Sequence, residues 1–337
     1  MKKTVIVSKH RIRGYFAMTN RAREPKWSLT RSRMFEECPR RYYYYYHFAP
    51  QAGSHPDDEL RLAAEMRRIK TLDMWVGEVV HEAIQWTLEH IGTGNAPSED
   101  EIKSYARQRL RDGWKASKEQ SWRKYQDDRH PNLFHHYYEI PVDKATTDRL
   151  KSKVYTSLTN FVASEVFRQI NATPRDRWLP IEKYASFRLD GLLMYVKFDF
   201  AMKDGAQLIV YDWKTGRPSQ DVIRQLVCYA LYTADKWQTP IDNIRVCAVH
   251  LHPDVELKEH PVRHEDIEDL RYYVKQSFDA MVKCLRDPEN NVAVVGGFPM
   301  TENLRQCLYC SFRGLCPQGK VAIGDIEDLA EVDIWEE

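Results

Sequence analysis

Residues 207–216 read Gln207-Leu208-Ile209-Val210-Tyr211-Asp212-Trp213-Lys214-Thr215-Gly216. Three consecutive apolar residues, 208–210, predict that Gln207–Lys214 is a central strand covered on both faces. The strand ends with Asp212 and Lys214, whose side chains leave the same face because they are two positions apart. Buried charges are costly unless they are paired. The two residues therefore form a salt bridge, lie where the strand has reached solvent, or belong to a functional site.

The segments around this strand predict a mixed α/β fold. The turn signal Asp190-Gly191 joins two predicted strands, at Glu182–Leu189 and Leu192–Phe200. Downstream, the apolar patterns predict a helix at Gln220–Ala234, a strand at Asn243–Leu251 and a helix at Glu265–Leu285. Three strands, a helix and a fourth strand predict a mixed central sheet flanked by helices.

The first half of the chain has the periodicity of helices. We predict helices at 30–48, Asp73–Ile91, 99–125 and 145–170. The second of these carries a single apolar stripe and is therefore expected to pack against the core. Residues 92–175 as a whole are predicted to be a helical insertion into the α/β fold.

A second acid precedes the central strand. Asp199 lies between Phe198 and Phe200, and neighbouring antiparallel strands are about 5 Å apart, so Asp199 and Asp212 can share one divalent cation. His81 is a third possible ligand, one helical turn after Gly77, where a glycine allows close approach of a strand or ligand. A lone histidine on the border of an apolar stripe is more often a hydrogen-bonded core residue.

These residue types suit the hydrolysis of a phosphodiester. Mg²⁺ or Mn²⁺ held by carboxylates neutralises the phosphate, lowers the pKa of bound water and stabilises the charge of the transition state. A lysine beside the metal can orient the attacking water. On the following predicted helix, Asp221, Gln225 and Tyr229 are spaced four residues apart, so they share a face that is directed either at this site or at solvent.

The seven cysteines indicate a metal centre rather than a disulfide framework, because their number is odd. Cys307, Cys310 and Cys316 form a C-x2-C-x5-C pattern, and Cys38 is the candidate for a fourth ligand. Zinc and a [4Fe–4S] cluster both accept four thiolates, and spacing alone does not decide between them. The other three cysteines, at 228, 247 and 284, are predicted to be core thiols.

With these motifs the chain resembles the PD-(D/E)XK nuclease superfamily, in its RecB/AddB-like branch of iron–sulfur exonucleases, and is similar to CRISPR-associated four-cysteine exonucleases. The matching positions are Cys38-Pro39, Gly77 with His81, Asp199, Asp212-Trp213-Lys214-Thr215-Gly216, and Gln225 with Tyr229. Glu182 fits an acidic position that is common in this branch. One departure is Val196-Lys197-Phe198 before Asp199, where a glycine is usual.

The resemblance implies a restriction-endonuclease-like fold and a role for each matching residue. His81, Asp199, Asp212 and the carbonyl of Trp213 would bind Mg²⁺ or Mn²⁺, and Lys214 would be the catalytic lysine. Gln225 and Tyr229 would contact the metal shell or the DNA strand. By the same resemblance, Cys38, Cys307, Cys310 and Cys316 would hold a [4Fe–4S] cluster that joins the N- and C-terminal segments and has a structural role.

Charge is distributed unevenly along the chain, although its formal net charge is only +1. Residues 1–41 contain twelve Lys/Arg and three Asp/Glu, which suits a polyanionic partner, whereas residues 317–337 contain seven acids and one lysine. We predict a basic arm at 1–27, a nuclease domain at 28–317 and an acidic tail at 318–337. Two segments that mix basic and aromatic residues, 40–46 and 115–124, are candidates for contact with single-stranded DNA.

The favoured hypothesis is a metal-dependent DNase, a single-strand exonuclease in DNA repair, recombination or CRISPR-type defence. The alternatives are a catalytically silent DNA-binding subunit of a helicase–nuclease or integrase complex, and a zinc-stapled α/β protein whose Asp-x-Lys pair is coincidental. A helicase or other protein is a possible partner. No stretch reaches the ~20 apolar residues of a membrane helix, and the first residues do not form a signal peptide. We therefore expect a cytoplasmic protein.

Overall fold

A computed structural model describes residues 25–54, 57–180, 185–216 and 221–324. The α-helices of this part are α1 (Leu29–Glu37), α2 (Pro39–Tyr43), α3 (Asp58–Arg67), α4 (Leu72–Gly92), α5 (Glu99–Lys118), α6 (Phe134–Tyr137), α7 (Lys144–Ala163), α8 (Glu165–Ala172), α9 (Asp221–Trp237), α10 (His264–Lys283), α11 (Arg305–Leu308) and α12 (Pro317–Gly324). The strands are β1 (Ile69–Lys70), β2 (Asn132–Leu133), β3 (Ala185–Leu189), β4 (Leu192–Val196), β5 (Phe200–Asp204), β6 (Gln207–Lys214), β7 (Ile244–His250), β8 (Glu256–His260), β9 (Leu285–Asp287) and β10 (Val292–Ala293). A π-helix covers Tyr44–Phe48, and short 3-10 helices cover Ala49–Ser54, Ser121–Arg123, Arg175–Arg177, Ile241–Asn243 and Val295–Gly297.

The central sheet has four strands in the order β5-β6-β7-β8. It is mixed, because β6 runs parallel to β7 while β5–β6 and β7–β8 are antiparallel. Strand β6 is central, as predicted, and its residues from Leu208 to Trp213 are buried. The edge strand β8 was not predicted, because its residues are mostly exposed and polar.

Alternate residues of β6 belong to two different cores. Leu208 and Val210 pack with α9 and α10 on one face of the sheet. Ile209, Tyr211 and Trp213 pack with α4 and α7 on the other. The sheet is thus sandwiched between helices, which confirms the predicted mixed α/β class and is consistent with a restriction-endonuclease-like fold.

The predicted hairpin is present, but its second strand is shorter than expected. Asp190 and Gly191 both have positive φ, of 49° and 84°, as a tight two-residue turn requires. Strand β4 ends at Val196, and β3 and β4 form a separate two-stranded sheet. Residue Phe200 begins β5, which pairs with β6 instead. The apolar pattern of 192–200 does not reveal where the chain leaves one sheet for the other. Residue Glu182 lies outside the described residues.

The helix predicted at 30–48 is interrupted at Cys38. This residue is extended, with φ of −163°, and its sulfur accepts a 3.4 Å hydrogen bond from the backbone N–H of Arg41. Pro39 then takes the first position of α2, where its missing N–H is not needed. Local periodicity could not predict this interruption, because the apolar spacing continues through Cys38.

The segment 92–175 is mainly helical, as predicted, with two changes of boundary. Helix α5 ends at Lys118 rather than at residue 125. The helix predicted at 145–170 is divided at Ser164, whose extended backbone ends α7 and whose hydroxyl accepts a hydrogen bond from the Phe167 N–H to begin α8. Helix α4 matches the predicted helix at Asp73–Ile91 to within one residue at each end.

Downstream of β6 the predicted elements are all present. Helix α9, strand β7 and helix α10 correspond to the segments predicted at Gln220–Ala234, Asn243–Leu251 and Glu265–Leu285. Helix α9 is three residues longer at its carboxyl end, finishing at Trp237. The proposed boundaries of the basic arm, nuclease domain and acidic tail stay predictions.

Candidate active site

Asp199 lies directly before β5, at the edge of the sheet where β6 ends. Its backbone N–H donates a 3.3 Å hydrogen bond to the Tyr211 carbonyl, so the acid is attached to β6 rather than carried on the hairpin strand. Its Oδ2 accepts a 2.7 Å hydrogen bond from the Trp213 N–H. Asp199 is thereby held beside the Asp-x-Lys segment, as the sequence predicts.

His81 reaches this acid from α4. Its Nδ1 lies 2.9 Å from Asp199 Oδ1, and its side chain is about one-third exposed. The approach depends on Gly77, because a Cβ atom there would lie only 3.2 Å from Thr215 Oγ1. The prediction that this glycine permits a close approach is confirmed, and His81 is joined to the acidic centre rather than buried as an ordinary core residue.

Asp212 and Lys214 form an ion pair. Lys214 Nζ lies 2.5 Å from Asp212 Oδ2, and only 6% of the Asp212 side chain is exposed. The contact is not aligned as a hydrogen bond, so this buried oxygen has no hydrogen-bond partner among the described residues. A salt bridge is therefore present, as one reading of the sequence allowed, but it leaves one carboxylate oxygen incompletely satisfied.

Gln225 and Tyr229 of α9 complete the arrangement around this pair. Gln225 Oε1 accepts a 2.6 Å hydrogen bond from Lys214 Nζ, and its Nε2 donates one of 2.6 Å to the Tyr229 hydroxyl. That hydroxyl lies 3.0 Å from Asp212 Oδ1 and 2.6 Å from the Lys197 carbonyl. It carries one proton and can donate to only one of these acceptors at a time. Both residues are therefore directed at the site, whereas sequence spacing left this open.

The two acids differ in their proton affinity. Burial raises the pKa of Asp199, but His81, the Trp213 N–H and Lys214 outweigh it and hold that pKa below its usual value. The pKa of Asp212 is raised, because burial and the charge of Asp199 exceed the effects of Lys214 and His81. The positive groups around this acidic pair therefore do not fully compensate its negative charge.

The remaining titratable groups respond to the same pair of acids. Burial lowers the pKa of His81, but the charges of Asp199 and Asp212 and the hydrogen bond to Asp199 raise it above its ordinary value. The pKa of Tyr229 is raised well above 10 by burial and by both acids. The hydroxyl therefore stays protonated and acts as a hydrogen-bond donor.

A divalent cation fits the chemistry of this donor set. The unsatisfied Asp212 oxygen and the mutual repulsion of the two acids are what a bound Mg²⁺ or Mn²⁺ would relieve. The centre is not preformed, however, because within the described ranges no three His, Cys, Asp or Glu side chains are arranged to hold one ion. Asp199 is directed to His81 and Trp213, and Asp212 to Lys214, so metal binding would require these acids to exchange partners.

His250 is a polar residue of this region that was not singled out in the sequence. It ends β7 directly beside Lys214 in the parallel register, and only 3% of it is exposed. Burial first and then Lys258 lower the pKa of His250 overall, although the Gly216 backbone raises it. The sequence feature that could have indicated His250 is its position at the end of an otherwise apolar strand.

The second predicted centre is a small cavity lined by all four selected cysteines, Cys38, Cys307, Cys310 and Cys316. Burial, and then Cys38 and Cys316, raise the pKa of Cys307, while burial raises that of Cys310 to about 11. All seven cysteines of the chain are free thiols. Four thiols are the donor set that zinc or an iron–sulfur cluster requires, but among the described residues these four are not arranged to hold one ion, so binding would require them to move closer together.

Contacts beside this cavity already join the two ends of the chain. The Arg40 N–H donates a 3.0 Å hydrogen bond to the Pro299 carbonyl, and Arg40 Nε donates one of 2.8 Å to that of Phe298. Helix α12 approaches closely at Gly319, where a Cβ would lie 2.5 Å from the Arg313 Cα. The fold thus places Cys38 at the same cavity as the C-terminal cysteines.

In the two segments proposed for DNA contact, several aromatic side chains are less exposed than expected. Tyr42, Tyr43 and Tyr44 are buried in the core, and so is Trp122. These rings pack against protein: Tyr44, for example, stacks on Phe312 with ring centroids 5.5 Å apart. The prediction that this aromatic run stacks on bases is therefore wrong for these residues, because the run fills the core around the cysteine segment.

The sequence model of the PD-(D/E)XK nuclease superfamily matches residues 26–317, which include both centres. The chain belongs to this superfamily. No curated protein matches it. Members of the superfamily are metal-dependent nucleases that typically use Mg²⁺ or Mn²⁺, and their fold suggests DNA as the substrate. Within the described part of the chain, no helix has the length and apolar character needed to cross a membrane.

Proposed function

We propose that the protein is a DNA exonuclease that acts on single-stranded ends in repair, recombination or CRISPR-type defence. The observation that carries this proposal is the hydrogen bond that fixes Asp199 to the backbone between Asp212 and Lys214. Two acids and a lysine from separate segments are thereby held at one edge of the sheet. This is the residue set that metal-assisted phosphodiester cleavage needs.

The ligands proposed for the catalytic ion are Asp199, Asp212, His81 and the carbonyl of Trp213. When bound, Mg²⁺ or Mn²⁺ supplies a water of lowered pKa and neutralises charge on the phosphate. The protein contributes the position of these ligands. Trp213 does so doubly, because its N–H holds Asp199 and its indole ring lies in the core formed with α4 and α7.

Lys214 is proposed as the catalytic lysine. Its ammonium group lies between Asp212 and Gln225, at 2.5 and 2.6 Å, and is about one-fifth exposed. From this position it can orient an attacking water and offset negative charge as the phosphate becomes pentacovalent. Gln225 accepts a hydrogen bond from the ammonium group, and the Tyr229 hydroxyl contacts both Gln225 and Asp212.

The four cysteines are proposed to hold a [4Fe–4S] cluster with a structural role. Support comes from the shared cavity and from the resemblance of the cysteine pattern to that of iron–sulfur exonucleases. The cluster would add a link between residues 38 and 307 to the hydrogen bonds that already join these segments. Zinc is the competing occupant, since it accepts the same four thiolates.

The deciding experiment compares wild type with Lys214→Ala on end-labelled single-stranded DNA, after anaerobic purification. Lys203→Ala is the matched control, because Lys203 is an exposed lysine on the neighbouring strand β5. We expect wild type and Lys203→Ala to degrade the DNA from its ends with Mn²⁺ or Mg²⁺. Lys214→Ala should be slower by about 10²-fold or more.

Three results would count against the proposal. Metal-dependent cutting only within the strand would replace the exonuclease by an endonuclease. A folded wild type that binds DNA but cuts nothing with either metal would favour the silent accessory subunit, for which a helicase or integrase would be the partner. A folded Lys214→Ala protein with unchanged activity would show that Lys214 is not part of the catalytic centre.

A further inference from the structure

A cavity of about 240 Å³ lies between α1, α3, the π-helix and α10. Its walls differ in character. Lys26, Arg31 and Arg67 supply its basic groups, and Phe278, Val282 and Leu285 supply apolar surface. Among the described residues that line it, none is an acid and none belongs to the acidic centre or to the cysteine centre. We call it the Arg31–Arg67 cavity.

The three cations of this cavity lack acidic partners within the described part of the chain, although many other cations have one. Arg33, two residues after Arg31, pairs with Asp221 at 2.7 Å. Arg31 instead lies 3.9 Å from the centre of the Tyr46 ring, and Arg67 lies 4.9 Å from that of Tyr45. Three half-buried cations without a carboxylate create a positive potential that an anion would neutralise.

A neutral hydrogen-bonding group also faces this cavity. His47 is part of the lining, and burial together with the charge of Arg31 lowers its pKa to about 4. The imidazole is therefore uncharged at neutral pH and presents either a donor or an acceptor to a ligand. The basic charge of the cavity comes from the lysine and the two arginines alone.

The backbone at this wall has an uncommon geometry. The π-helix at Tyr44–Phe48 contains one more residue per turn than an α-helix, and such segments occur frequently at functional sites. Tyr42, Tyr46 and His47 all line the cavity, with the Tyr42 and Tyr46 rings 5.0 Å apart. The π-helix thus lines the same cavity as the three cations that lack acidic partners.

We propose that the Arg31–Arg67 cavity binds one nucleotide, with the phosphate against Arg31, Arg67 and Lys26 and the base against the apolar residues Phe278, Val282 and Leu285. Guanidinium groups suit a phosphate because their paired N–H donors match its oxygens. The apolar surface selects an anion that carries a flat apolar group over inorganic phosphate. The choice of a nucleotide rests on the proposed function, since a nuclease meets this ligand both as part of its substrate and as its product.

The test measures binding to the full-length, anaerobically purified protein in EDTA, where metal-dependent cleavage does not occur. One probe is deoxyadenosine 5′-monophosphate, followed by calorimetry. The other is a fluorescein-labelled oligothymidylate of about twelve nucleotides, followed by anisotropy. The variant is Arg31→Gln combined with Arg67→Gln. Arg61→Gln is the control, because Arg61 lies on the same helix as Arg67 but is exposed and paired with Asp58.

We expect the double variant to bind at least one probe about tenfold more weakly, since two charge-assisted contacts are lost. Weaker binding of the mononucleotide identifies a site for free nucleotide. A loss confined to the oligothymidylate, with a lower dependence on salt, identifies a nucleotide within a strand. Affinities of both probes that stay within about twofold of wild type overturn the proposal.

Folding and catalysis are separated from this result by two further measurements. If the double variant does not fold, Arg67→Gln alone is tested, because Arg31 also covers the Tyr46 ring. Cleavage by wild type is measured separately with Mn²⁺. If the protein binds nucleotide through this cavity but does not cut DNA, only the proposed nuclease function is refuted. If it cuts DNA without using the cavity, only the proposed nucleotide site is refuted.

Discussion

Lys214 Nζ donates a 2.6 Å hydrogen bond to Oε1 of Gln225, a residue of α9. The same amide group donates to the Tyr229 hydroxyl. Lys214 is therefore held from two sides, by Asp212 and by Gln225. Gln225 acts through the lysine, and this makes it a positioning residue in the proposed reaction.

Replacing Gln225 by leucine should reduce turnover without much change in DNA binding. The lysine would keep its ion pair with Asp212 but lose the contact that draws it toward α9, so it would no longer be centred on the reacting phosphate. We expect kcat to fall about tenfold, with KM within about twofold of wild type. Steady-state cleavage of single-stranded DNA with Mn²⁺ measures both values.

The control for this substitution is Ile223→Ala. Ile223 lies on the same helix and is 48% exposed, so its loss should affect neither constant. An unchanged kcat in a folded Gln225→Leu protein would show that the lysine does not depend on this contact. If KM rose while kcat stayed unchanged, Gln225 would instead be assigned to DNA binding.

Replacing Cys38 by serine should remove the proposed cluster and weaken the link between the two ends of the chain. A cross-link that closes so long a loop contributes about 4 kcal/mol or more in the simple entropy model. We expect loss of bound iron, of sulfide and of brown colour, together with a lower midpoint of thermal unfolding. Metal analysis and visible absorbance of the anaerobic protein measure the first three.

Cys284→Ser provides the comparison, because Cys284 is a half-buried free thiol that does not line the four-cysteine cavity. It should keep the iron and the colour. A colourless wild type with one bound zinc would replace the cluster by a zinc site. Wild type that binds neither metal would leave the four cysteines as ordinary thiols and refute the metal proposal.

The burial of His47 should make folding stability depend on pH. Its pKa is about 4 in the folded protein, against 6.5 for the ordinary value, so the unfolded chain binds this proton first as the pH falls. The free energy of unfolding contributed by the neutral imidazole is complete above pH 6.5 and is lost progressively toward pH 4. The total change is at most about 3 kcal/mol.

Urea unfolding of wild type and His47→Gln between these pH values tests this dependence. The glutamine variant should lose less stability on acidification, whatever its stability at neutral pH. His264→Gln is the control, because the His264 side chain is 85% exposed and should titrate alike in both states. Equal slopes for wild type and His47→Gln would show that folding does not change the pKa of His47.

The central strand was predictable to the residue. Consecutive apolar residues required cover on both faces, and the structure supplies it from two separate cores. The Asp190-Gly191 turn was equally predictable, because both positions need positive φ. The end of the following strand was not, since Val196 and Phe200 lie in different sheets and an apolar pattern carries no information about which partner strand is used.

Local patterns in this sequence determined the class of fold, the Asp-x-Lys pair on one face of β6 and the three clustered cysteines. These depend on residues close together in the chain, whose geometry follows from the period of a strand or turn. The tertiary structure alone decided that His81 meets Asp199, that Gln225 holds Lys214, and that Cys38 joins the C-terminal cysteines. It also decided that most of the tyrosine run is core and that Arg31 and Arg67 face one cavity. Such pairings arise from packing between distant segments, for which no short-range pattern is sufficient.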